Sequence, residues 1–459
     1  MKALPYNNLN IPYISLLYVY QELKYNKGMK TMKNNENKKI FLKYLEIKNI
    51  NKYLINYDNF LSNDDCDFKT SLSICIIIKN EEKFIEKCIK SIINIADEII
   101  IVDTGSTDKT LSILNSLKKM YGNKINVYHY AWDENFSKAR NYAMKFATSE
   151  WILFIDADEE WNRHFEKEEL YGFLSTIALN EITKKIAFAL KIKDYGTDIM
   201  HMGIPRLFRN DKIKYFFGNV HEELRLKEES LTIIQLNFEI VHYGYAANIM
   251  KSKNKIKRNL SLLEKVREIE PDNLRWIYFF IRDGKDVIDY ETVTNLVNKY
   301  IKKDIGSERF EDNVVDNKYT YAILKEFCNY SMKNGNIKVA KELVDMLSIM
   351  NKDDMDVFYY KTLLEIDQIR SMNNMLLKRV ITYRKNNFEN TNSYISSSGY
   401  HIDFLLAILL FNIGKYNDAK KYFRFLENKI KDDTINELVK IYNGMLESLG
   451  EKQKWWKNF

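Results

Sequence analysis

Residues 71–108 read SLSICIIIKNEEKFIEKCIKSIINIADEIIIVDTGSTD, and this stretch decides the fold. It contains two short, isoleucine-rich apolar runs, Leu72 to Ile78 and Glu98 to Val102, which are typical of strands buried on both faces. Between them, isoleucines recur at helical spacing from Ile85 to Ile93. A strand, a helix and a second strand of these lengths predict a βαβ unit with parallel strands.

The same alternation continues to residue 155. A helix is expected from Ser106 onward, a third strand at Ile125 to Tyr130, a helix at Ser137 to Ala147 and a fourth strand at Trp151 to Ile155. Strands that alternate with helices predict a mainly parallel sheet covered on both faces. In such sheets the ligand site lies beyond the carboxyl ends of the strands. The polar residues that follow each strand are therefore the candidates for function.

After Glu160 the pattern becomes less regular, and from about Lys251 helical pairs replace strands. Two segments place glycine at a helix turn and alanine five residues later, at Gly335 and Ala340 and at Gly414 and Ala419. This spacing resembles tetratricopeptide helix pairs, although a plain helical bundle would show it too. We predict an N-terminal helical extension (1–70), an α/β domain (71–250) and a helical domain (251–459).

Composition narrows the classes of partner. The 459 residues carry 70 basic and 63 acidic side chains, a net charge of +7 that is too mild to indicate nucleic acid and that suits an anionic ligand such as a sugar diphosphate. The four cysteines show no disulfide or metal-site spacing, which favours a reducing compartment. No signal peptide or membrane-spanning segment is evident. We therefore expect a soluble cytoplasmic protein.

Polar clusters follow three of the predicted strands. Asn80 and Glu81 come after the first strand, the segment from Asp103 to Asp108 after the second, and Asp156-Ala157-Asp158 after the fourth. A carboxylate such as Asp103 can accept a hydrogen bond from the imide of uracil, and Ser106 can cap the next helix. A simple turn and helix cap would use the same residues as the Asp103 to Asp108 segment.

The pair Asp156 and Asp158 is a different kind of signal from the Asp103 to Asp108 segment. Carboxylates at i and i+2 of an extended backbone project to one side and repel unless a cation or ribose hydroxyls lie between them. Mg²⁺ or Mn²⁺ at this position would neutralise a diphosphate and stabilise its departure. Arg140, at the start of the preceding helix, would then make bidentate contacts with phosphate, or else be a solvated helix residue.

Two histidine-containing segments lie downstream. His242 follows an apolar strand and could complete a metal site with Asp158, although a lone histidine is usually structural. In the segment Val220-His221-Glu222-Glu223, Glu222 or Glu223 could be the general base for an acceptor, and His221 is a further alternative.

Together these residues resemble the family 2 glycosyltransferases with the GT-A fold. The resemblance rests on the motifs at 77–81, 101–108, 132–141 and 150–158. Further motifs at 206–209, 218–223, 242–245 and 258–276 are similar to the SunS branch, bacterial enzymes that glycosylate a cysteine of a bacteriocin (glycocin) precursor peptide.

The resemblance implies an inverting transfer of a hexose, glucose in our interpretation, from a UDP-sugar to a peptide cysteine. It assigns uracil to Asp103, ribose to Asp156, the divalent metal (Mg²⁺ or Mn²⁺) to Asp158 and His242, and the base to Glu222. The nucleotide-sugar site would also include Asn80, Glu81, Ser106 and Arg140. It further implies a homodimer.

Two other hypotheses fit parts of the sequence. A cell-envelope or lipopolysaccharide-core type glucosyltransferase, acting on a saccharide or lipid, would share the Val-His-Glu and His-Tyr-Gly-Tyr segments. A helical-repeat interaction protein with a decayed transferase domain is the second. The intact Arg140, Asp156, Asp158 and His242 speak against decay.

Overall fold

The computed structural model describes residues 70–178, 181–227, 229–243, 249–302, 314–387, 393–427, 429 and 432–456. The predicted N-terminal extension (1–70) thus lies outside the described residues, apart from Thr70. In the part of the chain that is described, no helix is both long enough and apolar enough to cross a membrane.

The described strands, in chain order, are β1 Leu72–Ile78, β2 Glu98–Asp103, β3 Ile125–His129, β4 Trp151–Phe154, β5 Glu159–Trp161, β6 Ile186–Asp194, β7 Met200–His201, β8 Pro205–Arg209, β9 Lys214–Phe217, β10 Glu223–Leu226 and β11 Thr232–His242. The first helices accompany the sheet: α1 Ile85–Ile92, α2 Thr110–Tyr121, α3 Phe136–Met144 and α4 Lys167–Ala178. The later helices are α5 Ile249–Ile269, α6 Leu274–Asp283, α7 Tyr290–Tyr300, α8 Thr320–Lys333, α9 Ile337–Met350, α10 Met355–Asn386, α11 Tyr400–Asn412, α12 Tyr416–Leu426 and α13 Asp433–Trp456. Single 3₁₀ turns occupy Gly122–Lys124 and Glu181–Lys185.

A nine-stranded mixed sheet is the centre of the fold, with the order β3-β2-β1-β4-β8-β6-β11-β5 and β7 attached to β6. Strands β1 to β4 run parallel, whereas β8 is antiparallel to both β4 and β6. Because β11 is parallel to β6, its carboxyl end lies at the same edge as those of β1, β2 and β4. The predicted α/β fold of the GT-A type, with a mainly parallel sheet followed by helices, is confirmed.

Both faces of the sheet are covered because successive side chains of a strand point to opposite sides. On one face, Ile74 and Ile76 pack with Ile85 and Ile89 of α1 in a cluster of buried residues. On the other face, Cys75 packs in a second cluster that includes residues of α3 and β8. Continuous apolar strands such as β1 need this two-sided cover, and they could not lie at a solvated face.

The chain divides into two compact units between Asn334 and Gly335. Helices α5 to α8 therefore belong to the unit that holds the sheet, and α9 to α13 form the second unit. Gly335 and Gly414 have positive φ at helix turns, and Ala340 and Ala419 are fully buried, as the glycine and alanine spacing predicts. The tetratricopeptide likeness and the domain boundary at residue 250 stay predictions.

Helix α6 supports the segment 218–223, which joins β9 to β10. Gly218 has φ +108° and lies against the buried Trp276, so an added Cβ would be 2.6 Å from the indole Cη2. Trp276 cannot retreat, because its Nε1 donates to Glu270 at 2.9 Å. Only glycine fits between this backbone and the indole.

Gly218→Ala should therefore destabilise the first unit by about 2 to 4 kcal/mol, the sum of a left-handed φ and an overpacked contact. Gly196→Ala is the matched control, since Gly196 has φ +75° and no atom within 4 Å of its Cβ position. Thermal unfolding followed by circular dichroism should show a clearly larger fall in Tm for Gly218→Ala. Equal falls for the two variants would contradict the close approach to Trp276.

Candidate active site

The loops after β1 and β2 are joined by side-chain hydrogen bonds. The side-chain oxygen of Asn80, a residue with φ +60°, accepts from the backbone N–H of Thr107 at 2.7 Å. In return, the Asn80 N–H donates to Ser106 Oγ at 2.9 Å, and the Glu81 N–H donates to Thr110 Oγ1 at 2.8 Å. The predicted residues Asn80, Glu81 and Ser106 are therefore brought together at the carboxyl edge of the sheet.

Asp103 is fully buried beneath this pair of loops. Its carboxylate accepts from the backbone N–H of Ser106 at 3.0 Å and of Gly105 at 3.2 Å, and it lies 3.1 Å from Nδ1 of the exposed His129. These partners cover both oxygens. Direct contact between Asp103 and uracil, as the sequence predicts, would have to compete with these partners.

Asp156 lies between two guanidinium groups. Arg140 of α3 approaches its Oδ1 at 3.2 Å, and Arg206 of β8 donates to its Oδ2 at 2.8 Å. Although burial alone raises the pKa of the Asp156 carboxyl, Arg206 and Arg140 hold it well below its ordinary value. Asp156 is therefore a fixed carboxylate, and its role with ribose would use its remaining lone pairs.

Glu159 also belongs to this charged cluster. Its carboxylate accepts from Arg206 at 2.9 Å and from the backbone N–H of Asp156 at 2.7 Å, and its side chain is only 2% exposed. Burial raises the pKa of Glu159, and Arg206 offsets only part of the rise. The backbone bond fixes the turn 156–159, which sets the directions of Asp156 and Asp158.

Glu222 is joined to the same cluster through Arg140, whose Nε donates to its carboxylate. Both side chains are about nine-tenths buried, and the guanidinium also lies over the Phe154 ring at 5.1 Å. Arg140 is thus paired with carboxylates, and a bidentate phosphate contact would have to compete with Asp156 and Glu222. It is not a solvated helix residue.

The alternative bases are held elsewhere. His221 bonds Asp283 of α6 at 2.6 Å and stacks on Phe279, and Glu223 pairs with Arg225 at 2.6 Å. Of the three candidates, Glu222 is the one that forms an ion pair with Arg140, the partner of Asp156. This geometry favours Glu222 as the candidate base next to the edge of the sheet where the donor would bind.

Asp158 and His242 meet across the edge of the sheet. Strand β11 ends at His242, which brings its Nε2 to 3.4 Å from Asp158 Oδ2. The opposite nitrogen, Nδ1, lies 2.8 Å from Asp194 Oδ1. Burial alone lowers the pKa of His242, but the carboxylates of Asp158 and Asp194 raise it to about 9.

The donor set of this pair fits a hard divalent cation in part. Two neighbouring ligands of an octahedral ion at about 2.1 Å lie about 3 Å apart, close to the separation of the Asp158 and His242 atoms. Among the described residues, no three His, Cys, Asp or Glu side chains form a complete metal site. Asp158 and His242 would therefore supply two ligands, with phosphate oxygens and water as the others.

Sequence reasoning missed the roles of Arg206, Glu159 and Asp194. Each is a charged side chain that is at least nine-tenths buried. A usable signal existed for Arg206, because a charge next to the apolar pair Leu207 and Phe208 of β8 requires a partner if the strand is buried. Asp194 gave no such signal, since it ends β6 where turn residues are common.

Residues 73–217 match the model of the family described as Glycosyl transferase family 2. The chain therefore contains a family 2 glycosyltransferase domain, and the matched residues include strands β2 to β9. It is similar to the SPbeta prophage-derived glycosyltransferase SunS of Bacillus subtilis, with 28% identity over 80% of this chain and 82% of that protein.

Other similarities are shorter or more distant. An uncharacterized glycosyltransferase of Rickettsia bellii is 41% identical over 30% of this chain and 42% of its own length. Among solved structures, residues 1–349 of S. aureus TarS in complex with UDP-GlcNAc align with a TM-score of 0.32 and 17% identity, covering 65% of this chain and 91% of that one. The chain spans 55% of the S. aureus TarS structure that aligns with a TM-score of 0.31 and 15% identity.

Arg206→Gln should destabilise the protein by about 3 to 5 kcal/mol at neutral pH, because the buried Glu159 loses the charge that compensates its burial. Arg209→Gln on the same strand is the control. Its ion pair with Glu150, at 3.4 Å, is more exposed and should contribute about 1 kcal/mol or less. Urea unfolding of the two variants measures the difference.

The loss of stability caused by Arg206→Gln should also depend on pH. The lowered pKa of Asp156 means that its ion pairs stabilise the wild type above about pH 4 and lose this effect as pH falls further. Without Arg206 the buried Glu159 takes up a proton more readily, so the difference in unfolding free energy from wild type should narrow between about pH 7 and about pH 5. A gap that stays constant would mean that the guanidinium does not compensate these carboxylates.

Proposed function

We propose that the protein is an inverting glycosyltransferase that moves a hexose, glucose in this proposal, from a UDP-sugar to a cysteine thiol of a bacteriocin precursor peptide. The observation that carries the proposal is the convergence of Asp158 with His242 beside the Asp156 cluster to which Glu222 is joined. Two candidate ligands for one cation and a candidate base therefore lie at one edge of the sheet.

The donor side of the proposal uses the carboxyl ends of β1, β2 and β4. Asn80, Glu81, Asp103 and Ser106 would surround the uridine, and the uracil imide would replace one of the present partners of Asp103. Asp156 would hold the ribose, and Arg140 would face the sugar diphosphate. A divalent cation held by Asp158 and His242 would neutralise the diphosphate and so favour its departure.

On the acceptor side, Glu222 takes the proton of the cysteine Sγ. The sulfur then attacks the anomeric carbon from the face opposite the nucleotide, a C–S bond forms, and the bond to the diphosphate oxygen breaks with release of UDP. A free thiol with a pKa of about 8.5 is mostly protonated at neutral pH, so a nearby base increases the reactive thiolate. One displacement of this kind inverts the anomeric configuration.

The peptide acceptor is supported by how far the similarity to SunS extends. It covers 80% of this chain, whereas the family 2 match ends at residue 217. The shared region therefore includes much of the helical part as well as the transferase domain, and a helical region beyond a transferase domain suits an extended substrate. A lone similarity of the catalytic domain would not favour a peptide over a saccharide.

The acceptor prediction is tested with UDP-glucose, Mn²⁺ or Mg²⁺ and a cysteine-containing glycocin precursor peptide. Mass spectrometry should show one hexose added per modified cysteine, and replacing that cysteine by alanine should abolish the gain. A serine peptide measures how strictly sulfur is required. Transfer to a saccharide or lipid extract with none to the peptide would contradict the peptide acceptor and favour the cell-envelope alternative.

Glu222→Gln should lower kcat by about 10² to 10⁴-fold with little change in KM for the UDP-sugar, as expected for loss of a general base. Glu223→Gln is the matched control, because Glu223 is paired with Arg225 and should affect kcat far less. Initial rates with both variants decide the assignment. A larger loss in Glu223→Gln than in Glu222→Gln would transfer the role of base to Glu223.

A further inference from the structure

Asp194 binds two histidines at once. Its side chain is 1% exposed, with Oδ1 2.8 Å from Nδ1 of His242 and Oδ2 3.0 Å from Nε2 of His201. We call Asp194, His201 and His242 the Asp194 clamp. Asp194 takes no direct part in the proposed transfer reaction, and it is not one of the two proposed cation ligands, Asp158 and His242. Its buried charge therefore needs a different explanation.

The sheet itself assembles the clamp. The parallel pairing of β6 with β11 aligns Asp194 with His242, and the antiparallel pairing of β6 with β7 returns His201 to the same end. The hairpin between them is closed at its base, where the Asp194 N–H donates to the Ile199 carbonyl at 3.1 Å. Asp194 therefore has a fixed position relative to the imidazole.

The clamp determines which histidine nitrogen faces the cation position. An ionised carboxylate can only accept, so the bond to Asp194 requires a proton on Nδ1 of His242. When a cation displaces the proton from Nε2, this nitrogen carries the lone pair, and it is the nitrogen that lies 3.4 Å from Asp158 Oδ2. Because His201 holds the second oxygen of Asp194, the carboxylate cannot readily rotate away.

We propose that Asp194 is a positioning residue for the cation: it fixes the Nδ1–H tautomer of His242 and orients the ring so that Nε2 faces the ion beside Asp158. The proposal rests on the proposed function, since it takes Asp158 and His242 as the cation pair. Asp194 itself does not touch the cation, the donor or the acceptor. Outer partners of metal-binding histidines commonly change metal affinity by about 10 to 100-fold.

The test measures Mn²⁺ binding by electron paramagnetic resonance in the presence of UDP. Asp194→Asn is the informative variant, because an amide can turn its NH₂ toward Nδ1 and so stabilise the wrong tautomer. Its Mn²⁺ affinity should fall by about 10 to 100-fold. Asp198→Asn removes an exposed carboxylate from the same hairpin and should change the affinity by no more than about 2-fold.

A His242→Gln background separates positioning from simple loss of charge. If Asp194 acts through the imidazole, Asp194→Asn should add little to the loss already caused by His242→Gln. A full additional loss in that background would overturn the positioning role. Wild-type affinity in Asp194→Asn would overturn it as well.

One measurement avoids the variant, in case Asp194→Asn does not fold. Nitrogen-15 NMR of the histidine side chains, recorded on the wild type with Mg²⁺ and UDP, should show His242 protonated at Nδ1 alone. The His242 signals are assigned by their absence from the spectrum of His242→Gln. Protonation at Nε2 would overturn the proposal. If the wild type binds no Mn²⁺ with UDP, the proposed function fails at the cation site, and that outcome is distinct from failure of the clamp.

Discussion

The ion pairs of Asp156 with Arg206 and Arg140 are the interaction on which the functional edge of this molecule depends. The three side chains come from the end of β4, from β8 and from α3. The two guanidinium groups are about nine-tenths buried, and buried charges are costly unless they are paired and hydrogen-bonded, so removing Asp156 would leave both with a weaker set of partners. These ion pairs therefore connect the end of β4, the antiparallel strand β8 and helix α3.

This cluster separates the two carboxylates of the acidic triplet. Asp156 faces the guanidinium groups of Arg206 and Arg140, whereas Asp158 faces His242. Glu159 fixes the intervening turn through the Asp156 N–H. Two similar residues thus have different partners: Asp156 pairs with two arginines, and Asp158 pairs with the histidine that we propose as its fellow cation ligand.

The strands, the order of α/β elements and the helical second half could be predicted from sequence, because buried parallel strands and amphipathic helices have distinct periods. The pairing of Asp158 with His242 was also predictable, since both follow strands. The insertion of β8 between β4 and β6 was not, because strand order depends on contacts distant in sequence. Arg206 reaches Asp156 only through that insertion, so its role could not be seen in a one-dimensional pattern.

The support given by α6 to the 218–223 segment was unpredictable for the same reason, as it joins residues about 60 positions apart. The loops over Asp103 show a different limit. The sequence predicts either a nucleotide contact or a helix cap, and in this structure the carboxylate of Asp103 makes the backbone contacts. Which partner it prefers in the presence of donor depends on the relative strength of these hydrogen bonds.

The central claim is that the edge formed by β1, β2, β4 and β11 binds a nucleotide-sugar through a cation held by Asp158 and His242. A crystal structure of the protein soaked with UDP and Mn²⁺ tests this most directly. The account predicts Mn²⁺ bonded to an Asp158 oxygen, His242 Nε2 and diphosphate oxygens, with Asp156 still paired to Arg206. UDP bound away from this edge, or Mn²⁺ that touches neither residue, would contradict it.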